Sequence, residues 1–263
     1  MCRFVAYLGQ PISLDSLVCR PRHSLLRQSL HAEQAPTETH GDGFGLGWYG
    51  DPAEPAVYRV ALPAWADGNL RSLCATVRSG LFFAHVRAAT GTPVTRENCH
   101  PFQLGRYLFM HNGQVGGYGQ VRRELEALLP DHLFEYRRGS TDSELLFLLA
   151  MARMELGEDP IRAVIDVFDE TARRVKRAGI TQPVRLCAAL ADGKVMYAFR
   201  LATDAHPPSL YLRSDENGTV IASEPLDEHG LWTEVPPGAV VRVTRSAYMA
   251  QQVDDLALQN TAF

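Results

Sequence analysis

The chain has 263 residues, of which 46% are hydrophobic, and a formal net charge of −4. This composition supplies enough apolar surface for a packed core, and the interspersed charges argue against a surface for nucleic acid or for an anionic membrane. There is no run of 18 apolar residues and no signal peptide, so we expect a cytoplasmic protein without a membrane segment. The five cysteines are widely spaced and fit no zinc pattern, so neither a disulfide framework nor a metal site is expected.

The first half of the chain is predicted to combine strands with short helices. A strand over Cys2–Leu8 comes first, and leucines up to His31 indicate short helices. The stretch Phe44–Tyr49 alternates glycine with bulky residues, as a strand does where another backbone approaches closely. The other predicted elements are strands over Val57–Ala61, Leu81–Ala88 and Tyr107–Met110, and helices over Asn69–Val77 and Tyr118–Leu129.

Two stronger helix signals follow. The first helix begins at Thr141, where Thr141 and Glu144 fit a capping box. The second begins at Asp159-Pro160, an acidic N-cap before a proline at the first helical position. We expect the two helices to lie side by side on a sheet. The apolar residues expected on one face of the first are Leu145, Leu149, Ala152 and Leu156.

The last third of the chain returns to strands. Two hairpins are predicted, one turning at Asp192-Gly193 and one at Asn217-Gly218, and a last strand is predicted over Val240–Val243. No linker, repeat or low-complexity segment interrupts the chain, so we expect one domain over residues 1–263. The predicted hairpin strands are Val184–Leu190 with Val195–Leu201, and Leu210–Arg213 with Val220–Ser223.

Cys2 is the residue of greatest chemical interest in the first strand. We predict that Met1 is removed, because initiator methionine is usually trimmed before a small residue, and the mature chain then begins with a thiol and a free α-amino group on one residue. An ordinary thiol has a pKa of about 8.5 and an α-amino group one of about 7.7–8.0, so the amine can accept the thiol proton near neutral pH. The four other cysteines are expected to be buried or neutral thiols: Cys19, Cys74, Cys99 and Cys187.

Two motifs lie at and after the predicted strand Leu81–Ala88. Arg87 stands near the end of this strand, and an arginine among apolar neighbours needs an anionic partner. That partner is either a structural carboxylate or the carboxylate of a ligand, which the planar guanidinium binds at two points. His100 belongs to a predicted turn over Asn98–Phe102, where it is a ligand, an acid/base group or a hydrogen-bonded loop histidine.

Asn112-Gly113 and Asp142 each have two interpretations. The Asn-Gly dipeptide after the strand that ends at Met110 predicts a tight turn in the first place. It also offers a side-chain N–H from Asn112 and a backbone N–H from Gly113 to one small volume, which is the arrangement that stabilises a tetrahedral oxyanion. Asp142 fits the first turn of the helix that begins at Thr141, and a carboxylate fixed there is also a rigid receptor for an ammonium group.

These groups together suit a γ-glutamyl moiety, and their order along the chain resembles a known family. From Cys2 through Glu144 the sequence resembles the class II glutamine amidotransferases, which are N-terminal-nucleophile hydrolases. The matching motifs are Cys2, HVRAAT at 85–90, NCHPF at 98–102, HNG at 111–113 and TD at 141–142. The opening MCR and the segments Gly41–Trp48 and Ala222–Leu226 resemble a stand-alone, YafJ-like subgroup, which includes the γ-glutamyl amidohydrolase of ergothioneine biosynthesis and a glutathione-degrading relative.

The resemblance implies a fold and a catalytic apparatus. The implied fold is α+β and has four layers, with two stacked antiparallel sheets between two helical layers, as in the N-terminal-nucleophile hydrolases. Cys2 is implied to be the nucleophile and its α-amino group the base. Asn112 and the N–H of Gly113 are implied to form the oxyanion hole.

The resemblance also implies how a γ-glutamyl group is bound. Arg87, helped by Thr90, matches the residues that bind its α-carboxylate, and Asp142 matches the residue that binds its α-ammonium group. His100 matches a family histidine near the site, to which we assign a supporting role.

Two positions depart from the pattern of the glucosamine-synthase-type members. Ala88 replaces the bulky aromatic residue that follows their arginine, and Gly91 replaces the histidine after their threonine. We therefore expect a pocket that is more open on the leaving-group side, which suits a γ-glutamyl substrate larger than glutamine.

Three functional hypotheses follow from the sequence. The first is a stand-alone γ-glutamyl amidohydrolase, in which a γ-glutamyl thioester on Cys2 is hydrolysed to release glutamate. The second is a glutaminase subunit that passes ammonia to a separate synthetase chain, and the third is a γ-glutamyl-binding protein without turnover. No P-loop for ATP is present, and we expect no cofactor and no metal. The expected partner is a small γ-glutamyl substrate; the leaving amine and the oligomeric state are not specified by the sequence.

Overall fold

The computed structural model describes residues 2–35, 37–228 and 231–254. The prediction that Met1 is removed therefore falls outside the described residues. The strands are β1 (Arg3–Ser13), β2 (Phe44–Trp48), β3 (Ala56–Val60), β4 (Arg78–Val86), β5 (Phe102–Leu104), β6 (Tyr107–Gln114), β7 (Arg185–Ala191), β8 (Met196–Ala202), β9 (Tyr211–Asp215), β10 (Gly218–Ala222), β11 (Thr233–Glu234), β12 (Ala239–Val243) and β13 (Tyr248–Gln252). The helices are α1 (Asp15–Val18), α2 (Leu25–Leu30), α3 (Leu70–Thr76), α4 (Tyr118–Glu126), α5 (Asp131–Phe134), α6 (Asp142–Glu155) and α7 (Pro160–Arg177).

These strands form two antiparallel sheets. Sheet A has the strand order β11-β9-β10-β1-β4-β2-β3, and sheet B has the order β13-β12-β8-β7-β6-β5. Strand β1 lies between β10, from the C-terminal third of the chain, and β4. The first strand is thus held on both sides, and the residue before it, Cys2, has a fixed place in the fold.

Three apolar clusters show that the sheets and helices are stacked in four layers. One cluster packs helices α1 to α3 on the outer face of sheet A, and another packs α4 to α7 on the outer face of sheet B. The third lies between the two sheets. The four-layer α+β sandwich expected from the sequence is therefore confirmed.

The alternation of side chains along β1 explains how one strand serves two layers. Phe4, Ala6 and Leu8 belong to the cluster between the sheets, whereas Val5 and Tyr7 belong to the cluster under the helices. Successive side chains of a strand point to opposite faces, so a strand in the middle of such a stack is apolar on both faces. This is why the start of the chain reads as a continuous apolar run.

Several local predictions are confirmed. A Cβ on Gly45 of β2 would collide with the carbonyl oxygen of His100, as expected for a strand that another backbone approaches closely. Asp159 caps α7 by accepting from the N–H groups of Ile161 and Arg162. Helices α6 and α7 pack on each other, both predicted hairpins are present, and the four cysteines other than Cys2 are buried free thiols.

The predicted turn at Asn112-Gly113 is wrong. Strand β6 continues through both residues to Gln114, and they pair with Cys187 and Leu186 of β7. A glycine is needed here for packing rather than for turning, because a Cβ on Gly113 would collide with the carbonyl oxygen of Arg185.

The predicted apolar face of α6 is partly wrong. Leu156 is 85% exposed, while every residue from Ser143 to Met151 is buried, because α6 is covered by its neighbours on all sides rather than on one stripe. The capping box is only half formed. Thr141 accepts from the N–H of Glu144, but the carboxylate of Glu144 accepts from the N–H groups of Arg138 and Gly139.

The strand predicted over Val240–Val243 is present as β12 but is not the last one. Strand β13 follows it and pairs with it at the edge of sheet B, and the short strands β5 and β11 were also not predicted. Within the residues described, no helix is long and apolar enough to cross a membrane.

Candidate active site

Cys2 lies at the start of β1, beside the segment that follows β4. Arg3, the next residue, pairs with Val86, so the thiol is level with the end of β4. The Sγ of Cys2 lies 3.8 Å from the carbonyl oxygen of Ala88, to which it donates. Cys2 is only partly exposed, and burial raises the pKa of its thiol, against the opposing effects of the hydrogen bond to Ala88 and of the Arg87 guanidinium. A thiol in this state needs a base to become a nucleophile.

The motif residue Glu224 fixes the strand that carries Cys2. Its carboxylate forms an ion pair with Arg3, whose side chain is fully buried, at 3.3 Å. The same carboxylate contacts His23 at 2.7 Å and accepts from the N–H of Gln34. The buried ion pair of Arg3 and Glu224 thus joins several chain segments directly after Cys2. These contacts hold Cys2 in place.

Arg87 is buried, and no carboxylate of the described residues forms an ion pair with it. Its guanidinium donates to the carbonyl oxygen of Asp42 at 3.2 Å and to the hydroxyl of Thr92 at 2.6 Å. The carboxylate of Asp42 accepts from the N–H of Ala89 and so braces the chain after Arg87 instead of neutralising it. The structural carboxylate considered from the sequence is therefore not found. This leaves the guanidinium able to bind an external anion.

Thr92, rather than Thr90, contacts Arg87. Sequence reasoning did not assign roles to Thr92 and Asp42, although Asp42 belongs to a quoted motif, Gly41–Trp48. For Asp42, the available signal was its position between Gly41 and Gly43.

Asp142 lies at the first position of α6 and faces a cavity of about 670 Å³. Its Oδ2 accepts from the N–H of Val115 at 2.8 Å, and its Oδ1 accepts from the N–H of Ser143 at 2.8 Å. Thr90 and Thr92 line the same cavity. The carboxylate is thus fixed from two sides beside the residues that follow Arg87, as a receptor for an ammonium group requires.

The side chain of Asn112 is fully buried, and neither its Nδ2 nor its Oδ1 has a hydrogen-bond partner among the described residues. It points between the sheets, since Met110, two residues earlier, and Cys187, its neighbour on β7, both belong to the cluster there. Strands β1 and β6 approach each other across that layer. A buried amide without partners is costly, so this one is placed for a group that the protein itself does not supply.

His100 stacks on His85 in the same region. Their ring centroids are 4.1 Å apart, and both nitrogens of His100 lack a partner among the described residues. His85 contacts the carbonyl oxygen of His111, the residue before Asn112, at 3.4 Å and so links sheet A to sheet B. Burial lowers the pKa of His85 to about 3 and that of His100 well below its usual value, so both rings are neutral at physiological pH.

Acid is expected to destabilise the fold through these histidines. His111 is also buried with a lowered pKa, so three rings stay neutral in the folded state but take up protons below pH ~6.5 when unfolded. The contribution of His85 to the free energy of unfolding is then complete above that pH and falls by about 1.4 kcal/mol per pH unit as the pH drops toward 3, and His100 and His111 add to this fall because their pKa values are also lowered. Urea unfolding at pH 7 and pH 5 measures this fall.

An exposed histidine provides the control for that experiment. His206→Gln changes a side chain that is 83% exposed and is expected to retain the pH dependence of the parent chain. His85→Gln is expected to reduce the slope by about 1.4 kcal/mol per pH unit. Equal free energies of unfolding at pH 7 and pH 5 would contradict the neutral burial of these rings.

The described residues contain no group of three or more histidine, cysteine, aspartate or glutamate side chains placed to hold a metal ion. The histidines near the site instead contact backbone and hydroxyl groups or stack on each other.

Comparison with known proteins places the chain in a family. A sequence model described as glutamine amidotransferases class-II matches residues 21–206. The chain is 31% identical over 303 residues to the probable glutamine amidotransferase DUG3 of Saccharomyces cerevisiae, an alignment that covers 97% of this chain and 85% of that protein. This chain belongs to the class-II glutamine amidotransferases. The resemblance seen in the motifs is confirmed, and so is its subgroup.

Further relatives and structures agree with this family. The γ-glutamyl-hercynylcysteine sulfoxide hydrolase of Mycolicibacterium smegmatis is 31% identical over 248 residues, covering 92% of this chain and 96% of that protein. The structure of a glutamine aminotransferase class-II domain protein from Silicibacter pomeroyi superimposes with a TM-score of 0.74 and 35% identity, covering 95% of this chain and 99% of that one. The glutamine phosphoribosylpyrophosphate amidotransferase of B. subtilis, at 16% identity and a TM-score of 0.62, shares the fold over 95% of this chain and 49% of its own length.

Proposed function

We propose that this amidotransferase hydrolyses the γ-glutamyl amide bond of a small substrate and releases glutamate. The observation that carries the proposal is the buried Asn112 amide, which has no partner among the described residues and lies on the strand facing β1. An orphaned amide is the donor that an oxyanion requires. Similarity to a γ-glutamyl-hercynylcysteine sulfoxide hydrolase over nearly the whole chain supports the same class of substrate.

The proposed reaction has two steps. The α-amino group of Cys2, freed by removal of Met1, takes the thiol proton, and the sulfur attacks the γ-carbonyl carbon of the substrate. The C–N bond breaks, the proton passes to the leaving nitrogen, and a γ-glutamyl thioester remains on Cys2. Water, deprotonated by the same amine, then attacks the thioester, so the thiol and glutamate are released. Asn112 and the N–H of Gly113 stabilise the oxyanion in both steps.

Two charged groups, Arg87 and Asp142, fix the substrate for this attack. Arg87 binds the α-carboxylate, while Asp142 binds the α-ammonium group. Asp142, Thr90 and Thr92 line the cavity, and Arg87 donates to the hydroxyl of Thr92. Two fixed charges of opposite sign select a free γ-glutamyl group over a peptide-bonded glutamine, which lacks both charges. His100 supports the site by stacking on His85. We further propose that the chain acts as one domain, because β10 completes sheet A at β1.

Arg87→Lys is expected to raise the apparent KM for a γ-glutamyl substrate about tenfold or more, with a smaller change in kcat. A lysine ammonium cannot reproduce the two-point bond to a carboxylate, nor the bonds to Asp42 and Thr92. Steady-state kinetics of glutamate release measures both constants. The control is Arg213→Lys, which changes an arginine of β9 that forms an ion pair with Asp227 and is expected to keep the parent KM. An unchanged KM for Arg87→Lys would contradict the assigned contact.

A substrate screen tests the proposed function directly. Purified protein is incubated with glutamine, glutathione and a γ-glutamyl sulfoxide thiol conjugate, and glutamate release is measured for each. We expect turnover of at least one compound, with preference for an amide larger than glutamine, because the small residues at Ala88 and Gly91 are expected to open the pocket on the leaving-group side. Activity on glutamine alone would favour a subunit that supplies ammonia to a separate synthetase chain. Binding of these compounds without release of glutamate would leave only the non-catalytic alternative.

A further inference from the structure

The side chains of His111 and Ser143 join the strand of the oxyanion hole to the helix that carries Asp142. His111 Nδ1 lies 2.8 Å from Ser143 Oγ, and His111 Nε2 lies 3.0 Å from the carbonyl oxygen of Arg185 on β7. Ser143 Oγ lies in turn 3.3 Å from Asp142 Oδ1. His111 is 1% and Ser143 6% exposed, so these three contacts have little competition from water.

The direction of each bond follows from the atoms involved. A carbonyl oxygen only accepts, so His111 Nε2 carries the hydrogen and donates to Arg185. Burial lowers the pKa of His111, and the neutral ring has a single N–H, so its Nδ1 is an acceptor. The Ser143 hydroxyl has one proton and donates it to Nδ1. Asp142 Oδ1 therefore receives the backbone N–H of Ser143 but not the hydroxyl proton.

We propose that His111 is a positioning residue that turns the Ser143 hydroxyl away from Asp142, so that this carboxylate stays open to the α-ammonium group of the substrate. The inference rests on the proposed function, in which Asp142 is the receptor for that group. Without the acceptor on His111, the hydroxyl donates to Asp142 Oδ1 and competes with the ammonium group for the same oxygen.

Gly113 is required by the same arrangement. A Cβ at this position would collide with His111 Nε2 and with the carbonyl oxygen of Arg185, the two atoms of the bond that fixes the tautomer. The glycine therefore serves the receptor at Asp142 as well as the oxyanion hole, because without it the His111 ring cannot donate to Arg185. This accounts for His111 and Gly113 flanking Asn112 on one strand.

A double-mutant cycle tests the role of His111. His111→Phe keeps a planar ring but has no acceptor, and we expect the KM for a γ-glutamyl substrate to rise about tenfold, the equivalent of one charge-assisted hydrogen bond. In the Ser143→Ala background, the same change is expected to leave KM within about twofold of the value for Ser143→Ala alone, since no hydroxyl remains to turn toward Asp142. An equal rise in both backgrounds, as a purely structural role predicts, would overturn the proposal.

Two further variants at His111 separate the loss of the acceptor from a loss of folding. His111→Asn places an oxygen acceptor near the position of Nδ1 and is expected to keep the parent KM. His111→Leu, which has no acceptor, replaces His111→Phe if circular dichroism shows that the phenylalanine variant is unfolded. A KM for His111→Asn as high as that for the variants without an acceptor would also overturn the proposal.

Two probes separate this inference from the proposed function. Binding of L-glutamate, measured by calorimetry, needs no turnover and is expected to weaken about tenfold in His111→Phe but not when Ser143→Ala is also present. Glutaramate has the amide and the carboxylate but no α-amino group. Its affinity, measured in the same way, is therefore expected not to depend on the Ser143 hydroxyl. If the parent protein releases no glutamate from any γ-glutamyl compound, the proposed function fails, while the glutamate-binding cycle still decides the role of His111.

Discussion

Cys2→Ala is expected to abolish γ-glutamyl hydrolysis while the protein remains folded. Removing a nucleophile from a covalent mechanism lowers kcat by about four orders of magnitude or more, because the thioester path is lost and only substrate positioning remains. Cys2 precedes β1 and is only partly buried, so the loss of its Sγ leaves the apolar clusters intact. Glutamate release is the measurement for activity, and urea unfolding is the measurement for stability.

A second cysteine provides the matched control. Cys74→Ala removes a fully buried thiol of α3, in the cluster between this helix and sheet A, and is expected to reduce stability slightly without a comparable loss of turnover. Mass spectrometry of the purified parent protein shows whether the chain begins at Cys2, which the mechanism requires. Comparable turnover in Cys2→Ala and the parent protein would refute the assigned nucleophile.

Asn112→Leu is expected to lower kcat by about 10²–10³ while the free energy of unfolding stays the same or rises. The substituted side chain has a similar shape, and it removes a buried amide whose two polar atoms have no partner among the described residues. The stability that the folded state loses by burying this amide is then recovered. Turnover and stability are therefore expected to change in opposite directions.

Asn98 supplies the control for this prediction, because its buried amide is fully bonded. Its Nδ2 donates to the carbonyl oxygen of Pro93 and to Ser140 Oγ, and its Oδ1 accepts from the N–H of Ser140. Asn98→Leu leaves those groups unpaired and is expected to destabilise the fold by about 1–3 kcal/mol. If Asn112→Leu destabilises the protein as much as Asn98→Leu, then Asn112 has a structural partner and is not waiting for an oxyanion.

The residue types of the candidate site could be proposed from the sequence because each offers the chemistry that its proposed task requires. A cysteine at position two brings its own base, an arginine at a strand end needs an anion, and an aspartate at a helix start is held rigidly. The placement of Asn112-Gly113 was predicted less well. Asn-Gly is a strong local turn signal, and pairing with β7 overrides it because the glycine is needed where Arg185 approaches.

Contacts between distant segments were beyond the sequence. Asp42 accepts from Arg87 and from the N–H of Ala89, because the chain after β4 lies against the segment before β2. Nothing in local periodicity records such a contact. The full burial of α6 was missed for the same reason, since an amphipathic pattern reports one partner layer and α6 has several neighbours.

The sequence by itself determined the order of strands and helices along the chain, the family and the residue types of the candidate site, because strand and helix periods and motif spacing can be read from the sequence. The four layers were implied only by the family resemblance. Only the tertiary structure decided which polar groups are satisfied. Arg87 without an ion-pair partner in the described chain, Asn112 without any partner there, and the direction of the Ser143 hydroxyl all depend on atoms far apart in sequence. Burial makes these differences decisive, since a polar group without a partner is costly only where water cannot reach it.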